Sequence, residues 1–136
     1  VSDFWMGDVA MFSAGADVSW DWGGGGQIST AGDLALFLRG LLGARLFRDS
    51  TTLKTMTTLI EPAGMPEHCT GLGLGLRRLG RGDGPALWGH AGAWSVQAFY
   101  CRELDATITG SFNRSMAAHP ALRHWVLDVA DVLAAA

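Results

Sequence analysis

The chain is short of several things that would direct its reading elsewhere. It holds only two cysteines, Cys69 and Cys101, in 136 residues. That is too few for a disulfide scaffold, and both are expected as buried or free thiols. A bridge between them would need an oxidising compartment and suitable geometry. No apolar stretch approaches the ~20 residues that a membrane span requires, and no charged head with an apolar run opens the chain. Basic charge is not gathered either. Ten basic side chains are scattered over a chain of formal net charge −3, whereas nucleic-acid binders carry a clustered basic face. Metal-ligand spacing is missing as well. His68 and Cys69 are adjacent and diverge, and His119 and His124 would lie ~140° apart around a helix. Neither a metal nor a cofactor is expected.

What is present is apolar material. Hydrophobic residues make up 49%, charged ones 17%, and six residues are tryptophan, enough for a real core and unlike a disordered chain. The length suits one domain, expected over residues 1–136. Residues 1–22 carry Phe4, Trp5, Met6, Met11, Phe12, Trp20 and Trp22 without a regular period. They are expected to form an irregular lead-in lying across a surface that the rest supplies.

Gly23 to Gly26 read as a linker or as a packed turn feeding a helix. That helix is the clearest element. Thr30 is placed to cap it, with Asp33 three residues on. Leu34, Phe37, Leu38 and Leu41 follow as one apolar stripe, and Gly43 stops it. A second helix is expected after Asp49 or Ser50, with Leu53, Met56, Leu59 and Ile60 inward and Pro62 ending it. From Gly71 to Leu76 glycine and leucine alternate strictly, which predicts a strand with leucines on one face and bare backbone on the other. The spacing does not fit a dinucleotide fingerprint, and the glycines are expected to admit another element closely. Arg77–Gly84 reads as a turn. Extended segments are expected at about 86–93, 95–102 and 107–113, the last two joined as a hairpin through Glu103–Ala106. Pro120 opens a final helix whose stripe is Leu122, Trp125, Val126, Val129, Val132 and Leu133. The fold class is therefore α+β, an antiparallel sheet with helices packed on it.

The order of segments resembles a known family. Gly24-Gly25-Gly26-Gln27-Ile28-Ser29-Thr30-Ala31-Gly32-Asp33-Leu34 is similar to the glycine-rich "ST-x-x-DL" signature of serine β-lactamase-like hydrolases. That superfamily includes class C β-lactamases, D-alanyl-D-alanine carboxypeptidases and related esterases. Gly71–Leu76 is similar to their glycine-leucine strand. Trp88-Gly89-His90-Ala91-Gly92 resembles their third active-site motif, and Ser111-Phe112-Asn113-Arg114 resembles the Asn-Arg that closes their last strand. The resemblance covers residues 23–136 and implies that this is the C-terminal portion of such a fold.

The family's chemistry assigns roles by resemblance. Acyl transfer passes through an oxyanion held by backbone N–H groups, one of which would come from Ala93. Gly92 would let substrate backbone lie close to the strand. His90 would offer a hydrogen bond or a positive charge to the cleft. Ala91 stands where penicillin-recognising members often carry Thr or Ser, which points away from β-lactam or D-Ala-D-Ala specificity and towards another ester or amide. Trp88 and Trp94 would shape an apolar pocket or pack in the core. The nucleophile is missing. No Ser-x-x-Lys occurs, Thr51-Thr52-Leu53-Lys54 follows the glycine signature and so sits in the wrong place, and the single tyrosine, Tyr100, precedes Cys101 and Arg102 rather than supplying Tyr-x-Asn.

Two functions follow from this reading. In one, the chain supplies oxyanion and pocket groups to a nucleophile elsewhere, for a small-molecule or peptide acyl substrate. In the other, it is a binding or structural module that keeps the cleft wall without the chemistry. The strand at 107–113 is expected to have an open edge. That edge would pair with a second copy, with a separate N-terminal chain, or with residues 1–22.

Overall fold

The computed structural model describes residues 3–17, 19–115 and 123–136. Its centre is a five-stranded antiparallel sheet formed by β3 (Cys69–Leu72), β4 (Arg77–Leu79), β5 (Leu87–Ala91), β6 (Gln97–Cys101) and β7 (Ala106–Gly110). The strands lie side by side in sequence order, so each pairs with the next along the chain. A two-stranded hairpin of β1 (Trp5–Met6) and β2 (Val9–Ala10) precedes it. Then come the single turn α1 (Trp22–Gly25), α2 (Ala31–Leu42) and α3 (Thr51–Met56), and α4 (Trp125–Ala134) closes the chain. The α+β expectation holds.

Because side chains alternate across a strand, the sheet has two distinct faces. One carries Leu79, Leu87, Phe99, Cys101 and Ile108 against Val126, Leu127 and Ala130 of α4. The other carries Trp88, Ala98 and Tyr100 beneath Leu38, Leu41 and Leu42 of α2, together with Leu76 and with Leu53 and Met56 of α3. Two cores, one on each face, therefore share one sheet.

Helix α2 forms as its sequence predicts. Thr30 Oγ1 accepts from the Asp33 N–H at 3.1 Å and donates to the Asp33 carboxylate at 2.9 Å, satisfying a free helix-end donor. Leu38, Leu41 and Leu42 are buried, but Phe37 is 57% exposed and lies outside the stripe. Arg39 fixes the far end by donating to the Asp105 carboxylate at 2.8 Å.

Three other expectations are corrected. Helix α3 stops at Met56, well before Pro62. The Thr57 and Thr58 hydroxyls take the Leu53 and Lys54 carbonyls at 2.9 Å each, and the Met56 carbonyl accepts from Leu74 N–H at 3.0 Å. Ile60 then bridges Leu72 and is exposed instead of facing inward. Gly71–Leu76 is not one strand. β3 ends at Leu72, and Gly75 takes φ +67°, a left-handed value that reverses the chain into β4. Arg77–Leu79, read as a turn, is consequently a strand. The expected close approach to the glycines is present, since a Cβ at Gly73 would run into the Met56 carbonyl and one at Gly71 would meet Leu59 Cδ1 at 2.9 Å. Finally, α4 buries Val126, Leu127 and Ala130, whereas Val129, Val132 and Leu133 are exposed. Pro120 and Leu122 of the expected stripe lie outside the described residues.

The lead-in does lie across the sheet's end. Trp5 N–H donates to the Asn113 carbonyl at 2.7 Å, and Ser115 N–H donates to the Trp5 carbonyl at 2.9 Å, a parallel bridge beyond β7. Asp3 gathers the hairpin by accepting from the N–H groups of Phe4, Phe12 and Ser13 and from the Ser13 hydroxyl. The Ser13 hydroxyl, with those N–H groups, holds the Asp3 carboxyl below its usual pKa. Along Ala106–Gly110 itself, β7 remains the sheet's edge among the described residues. Cys69 and Cys101 are both buried free thiols.

Candidate functional site

The segment Leu87–Ala91 is extended as β5, in register with β6 from Leu87↔Cys101 to Ala91↔Gln97. Extension stops there. Gly92 N–H donates to the Val96 carbonyl at 2.8 Å, and Ala93, Trp94 and Ser95 form the turn into β6. Ala93, expected as the last residue of the strand, thus sits just past its end. Gly89 is dictated by geometry, because a Cβ there would run into the Ala98 carbonyl of β6. Gly92 is not, since an added Cβ would meet Val96 no closer than 3.8 Å.

His90 emerges on the α2 face, beside Trp88 and opposite Ala98. Ala98 in turn pairs with Thr109, whose hydroxyl donates to the Ala31 carbonyl at 2.9 Å. The first turn of α2 therefore sits over the end of the sheet that carries His90. The His90 residue is exposed, but partial burial of its ring and the nearby Arg77 guanidinium hold its pKa below the usual 6.5. At pH 7 the imidazole is neutral, a hydrogen-bonding group without charge.

The turn that follows is tied down by residues far along the chain. The Trp94 carbonyl lies 2.6 Å from Ser95 Oγ and 3.2 Å from Ser111 Oγ, both of which donate to it. Phe112 N–H donates to Ser95 Oγ at 3.2 Å, and Asn113 N–H donates to Ser111 Oγ at 2.9 Å. The fold thereby joins the tryptophan-glycine-histidine segment to Ser111–Arg114. Trp94 lies tilted against Phe4, ring centroids 4.1 Å apart, so it is packed against the lead-in. Trp88 is half-buried in the α2-side core. Ala91 is partly buried against the α4-side core, on the opposite face from His90. The Ala93 N–H has no partner among the described residues.

Sequence reading missed Ser95. It is fully buried and adopts φ +58°, a conformation that non-glycine residues seldom take. Its hydroxyl links the Trp94 carbonyl to the Phe112 N–H, and nothing in a lone Ser after a Trp signals that. A second missed grouping is His68 with His124, whose rings meet edge to face at 5.0 Å. His68 also lies 3.4 Å from the Glu67 carboxylate. No cluster of three or more His, Cys, Asp or Glu suited to a metal occurs among the described residues. No described helix is long and apolar enough to cross a membrane.

The antiparallel sheet lies between helices and brings this histidine strand and the Asn-Arg segment together at one end. The chain belongs to the β-lactamase family, whose model, described as Beta-lactamase, matches residues 4–131. The match begins at Phe4, so the lead-in that the sequence reading left outside the resemblance lies within the family's domain. Among the curated proteins and the solved structures, none matches the chain significantly.

Proposed function

We propose that this chain forms the oxyanion-side wall of a serine acyl hydrolase whose nucleophile comes from outside these 136 residues. The observation that carries the reading is the free Ala93 N–H, held in a turn that Ser95 and Ser111 pin from behind. A donor fixed in advance and aimed at developing charge is the largest contribution such a site makes. His90, neutral at pH 7, offers a hydrogen bond from the same wall. Gly92, which the packing does not require, leaves clearance for substrate backbone. Trp94 flanks the strand end as an apolar wall, Trp88 packs back from it in the α2-side core, and Ala91 offers no hydroxyl for a substrate carboxylate. The substrate class is accordingly an ester or amide other than a β-lactam.

The β7 edge is where a second chain would add a strand, either another copy or an N-terminal chain bearing the nucleophile. A second reading, a non-catalytic module, is favoured by one fact, the absence of Ser-x-x-Lys and Tyr-x-Asn from the chain.

The two readings separate in one experiment. The chain alone should take no label from a serine-reactive fluorophosphonate. Mixed with a polypeptide carrying Ser-x-x-Lys and Tyr-x-Asn from the same gene neighbourhood, it should restore labelling and ester hydrolysis. Ala93→Pro, which removes the N–H donor, should then lower turnover by about 10²–10³. Turnover in the mixture that is indifferent to Ala93→Pro and His90→Ala would remove the catalytic reading. Absence of any turnover would leave the binding module in its place.

A further inference from the structure

At the C-terminal end of α2, away from the first turn that overlies His90's end of the sheet, the same face opens into a groove of about 380 Å³. Its floor is a row of side chains from three neighbouring strands, with Arg78 opposite Trp88 and Trp88 opposite Tyr100. Leu42 of α2 and Leu53 of α3 form the apolar wall, and Arg102 stands at the rim. A second groove of about 360 Å³ shares Leu42, Tyr100 and Arg102 with the first and adds Arg39 and Arg45. The two make one trough.

Its charges do not balance. Asp105 is engaged, accepting from Arg39 at 2.8 Å and from the Tyr100 hydroxyl at 3.0 Å. Arg39 also lies over the Tyr100 ring, 5.6 Å from its centroid. This closed set of three braces one wall. Glu103 is the remaining carboxylate in the lining and accepts from the Cys101 thiol at 3.4 Å, while Arg78 and Arg102 line the first groove and Arg45 the second. Arg78 spends one Nη on the Thr70 hydroxyl at 3.2 Å, a bond that orients its planar fork and leaves its other donors available. An aromatic floor with guanidinium groups beside it suits a ligand with an apolar body and an anionic head.

We propose that this trough binds a small organic anion, its carboxylate or phosphate on Arg78 and Arg102 and its apolar body on Trp88 and Leu53. The site is separate from the acyl-transfer reading and stands without it. Phenylacetate and phenyl phosphate distinguish the two head groups, and inorganic phosphate tests the need for an apolar body. Titrated into the isotope-labelled chain, at least one phenyl probe should saturate and shift the Trp88 Nε1–H and the Arg78 and Arg102 Nε–H resonances. Inorganic phosphate should bind more weakly. Arg102→Gln and Arg78→Gln should each raise the dissociation constant about tenfold or more, and His90→Ala should leave it unchanged. The proposal is overturned if no phenyl probe saturates, if the arginine variants bind as tightly as the parent, or if His90→Ala abolishes binding. The last outcome would put the anion at the strand end instead.

Discussion

The two faces of the sheet are built from the same five strands and finish in opposite states. On the α4 face Leu87, Phe99, Cys101, Val126, Leu127 and Ala130 are all but sealed from solvent. Burial pushes the Cys101 thiol's pKa up, and the neighbouring Glu103 carboxylate adds to the shift. On the α2 face Leu38, Leu41, Leu42 and Leu76 are buried, but Trp88, Ala98 and Tyr100 are only partly covered and His90 is exposed. One face supplies stability. The other keeps titratable and aromatic groups within reach of solvent, and both proposed sites lie there. Separating the two tasks lets exposed positions of the open face be altered at less cost to the fold than the sealed ones.

Substitutions should expose this asymmetry most strongly at the sealed core. Phe99→Ala should cost about 3–5 kcal/mol of folding free energy, measured by urea unfolding. Trp88→Ala, half-buried on the other face, should cost about 1–2 kcal/mol. Equal losses would mean that the faces are equivalent after all. The glycines in and just after β5 sharpen the contrast at the next level. Gly89→Ala must separate β5 from β6 and should cost about 1–3 kcal/mol. Gly92→Ala should change stability by less than about 0.5 kcal/mol while impairing hydrolysis in the reconstituted mixture.

Acid should act on both faces, through His90 on the α2 side and through His124 on the α4 side. Burial lowers the His124 pKa below 6.5, and neighbouring His68, Arg81 and Arg123 lower it further, against an opposing pull from Glu67. A depressed folded-state value means that the unfolded chain binds more protons over that window. Stability is therefore full above pH 6.5 and falls as the pH drops through the lowered value. The melting temperature should decline between pH 7.5 and 5, and His124→Phe should flatten that decline. An unchanged slope in the variant would show that another group is responsible. A small effect is expected at Arg81, which donates to Asp128 at 2.7 Å and to Asp131 at 3.0 Å. These are partly exposed pairs, and Arg81→Ala should cost no more than about 1 kcal/mol, and less in high salt.

What the sequence disclosed follows the range over which its causes act. The Thr30 cap and the apolar spacing of α2 are local, and both were readable. So was the hairpin through Glu103–Ala106, which lies between two extended runs. Helix α3 was overextended because its stop depends on Leu74, which arrives from beyond a loop to take the Met56 carbonyl. The glycine-leucine run misled because alternation describes a strand and a tight hairpin equally well until Gly75 turns left-handed. At the site, the resemblance picked out His90 and the Asn-Arg segment. The Ser95 link and the row of Arg78, Trp88 and Tyr100 depend on strand register, which no local pattern encodes.

The strand order carries a consequence for how the molecule assembles. Because every strand of the sheet finds its partner next along the chain, each pairing from β3 to β7 closes only a short loop. Helix α2 is different, as its Ala31 carbonyl waits for Thr109, 78 residues downstream. Pulse-labelled hydrogen exchange during refolding should accordingly protect the amides of β5, β6 and β7 before those of α2. The hairpins can form as they leave the ribosome, whereas the roof over Trp88 and Tyr100 is set only when the distant end of the sheet has been made.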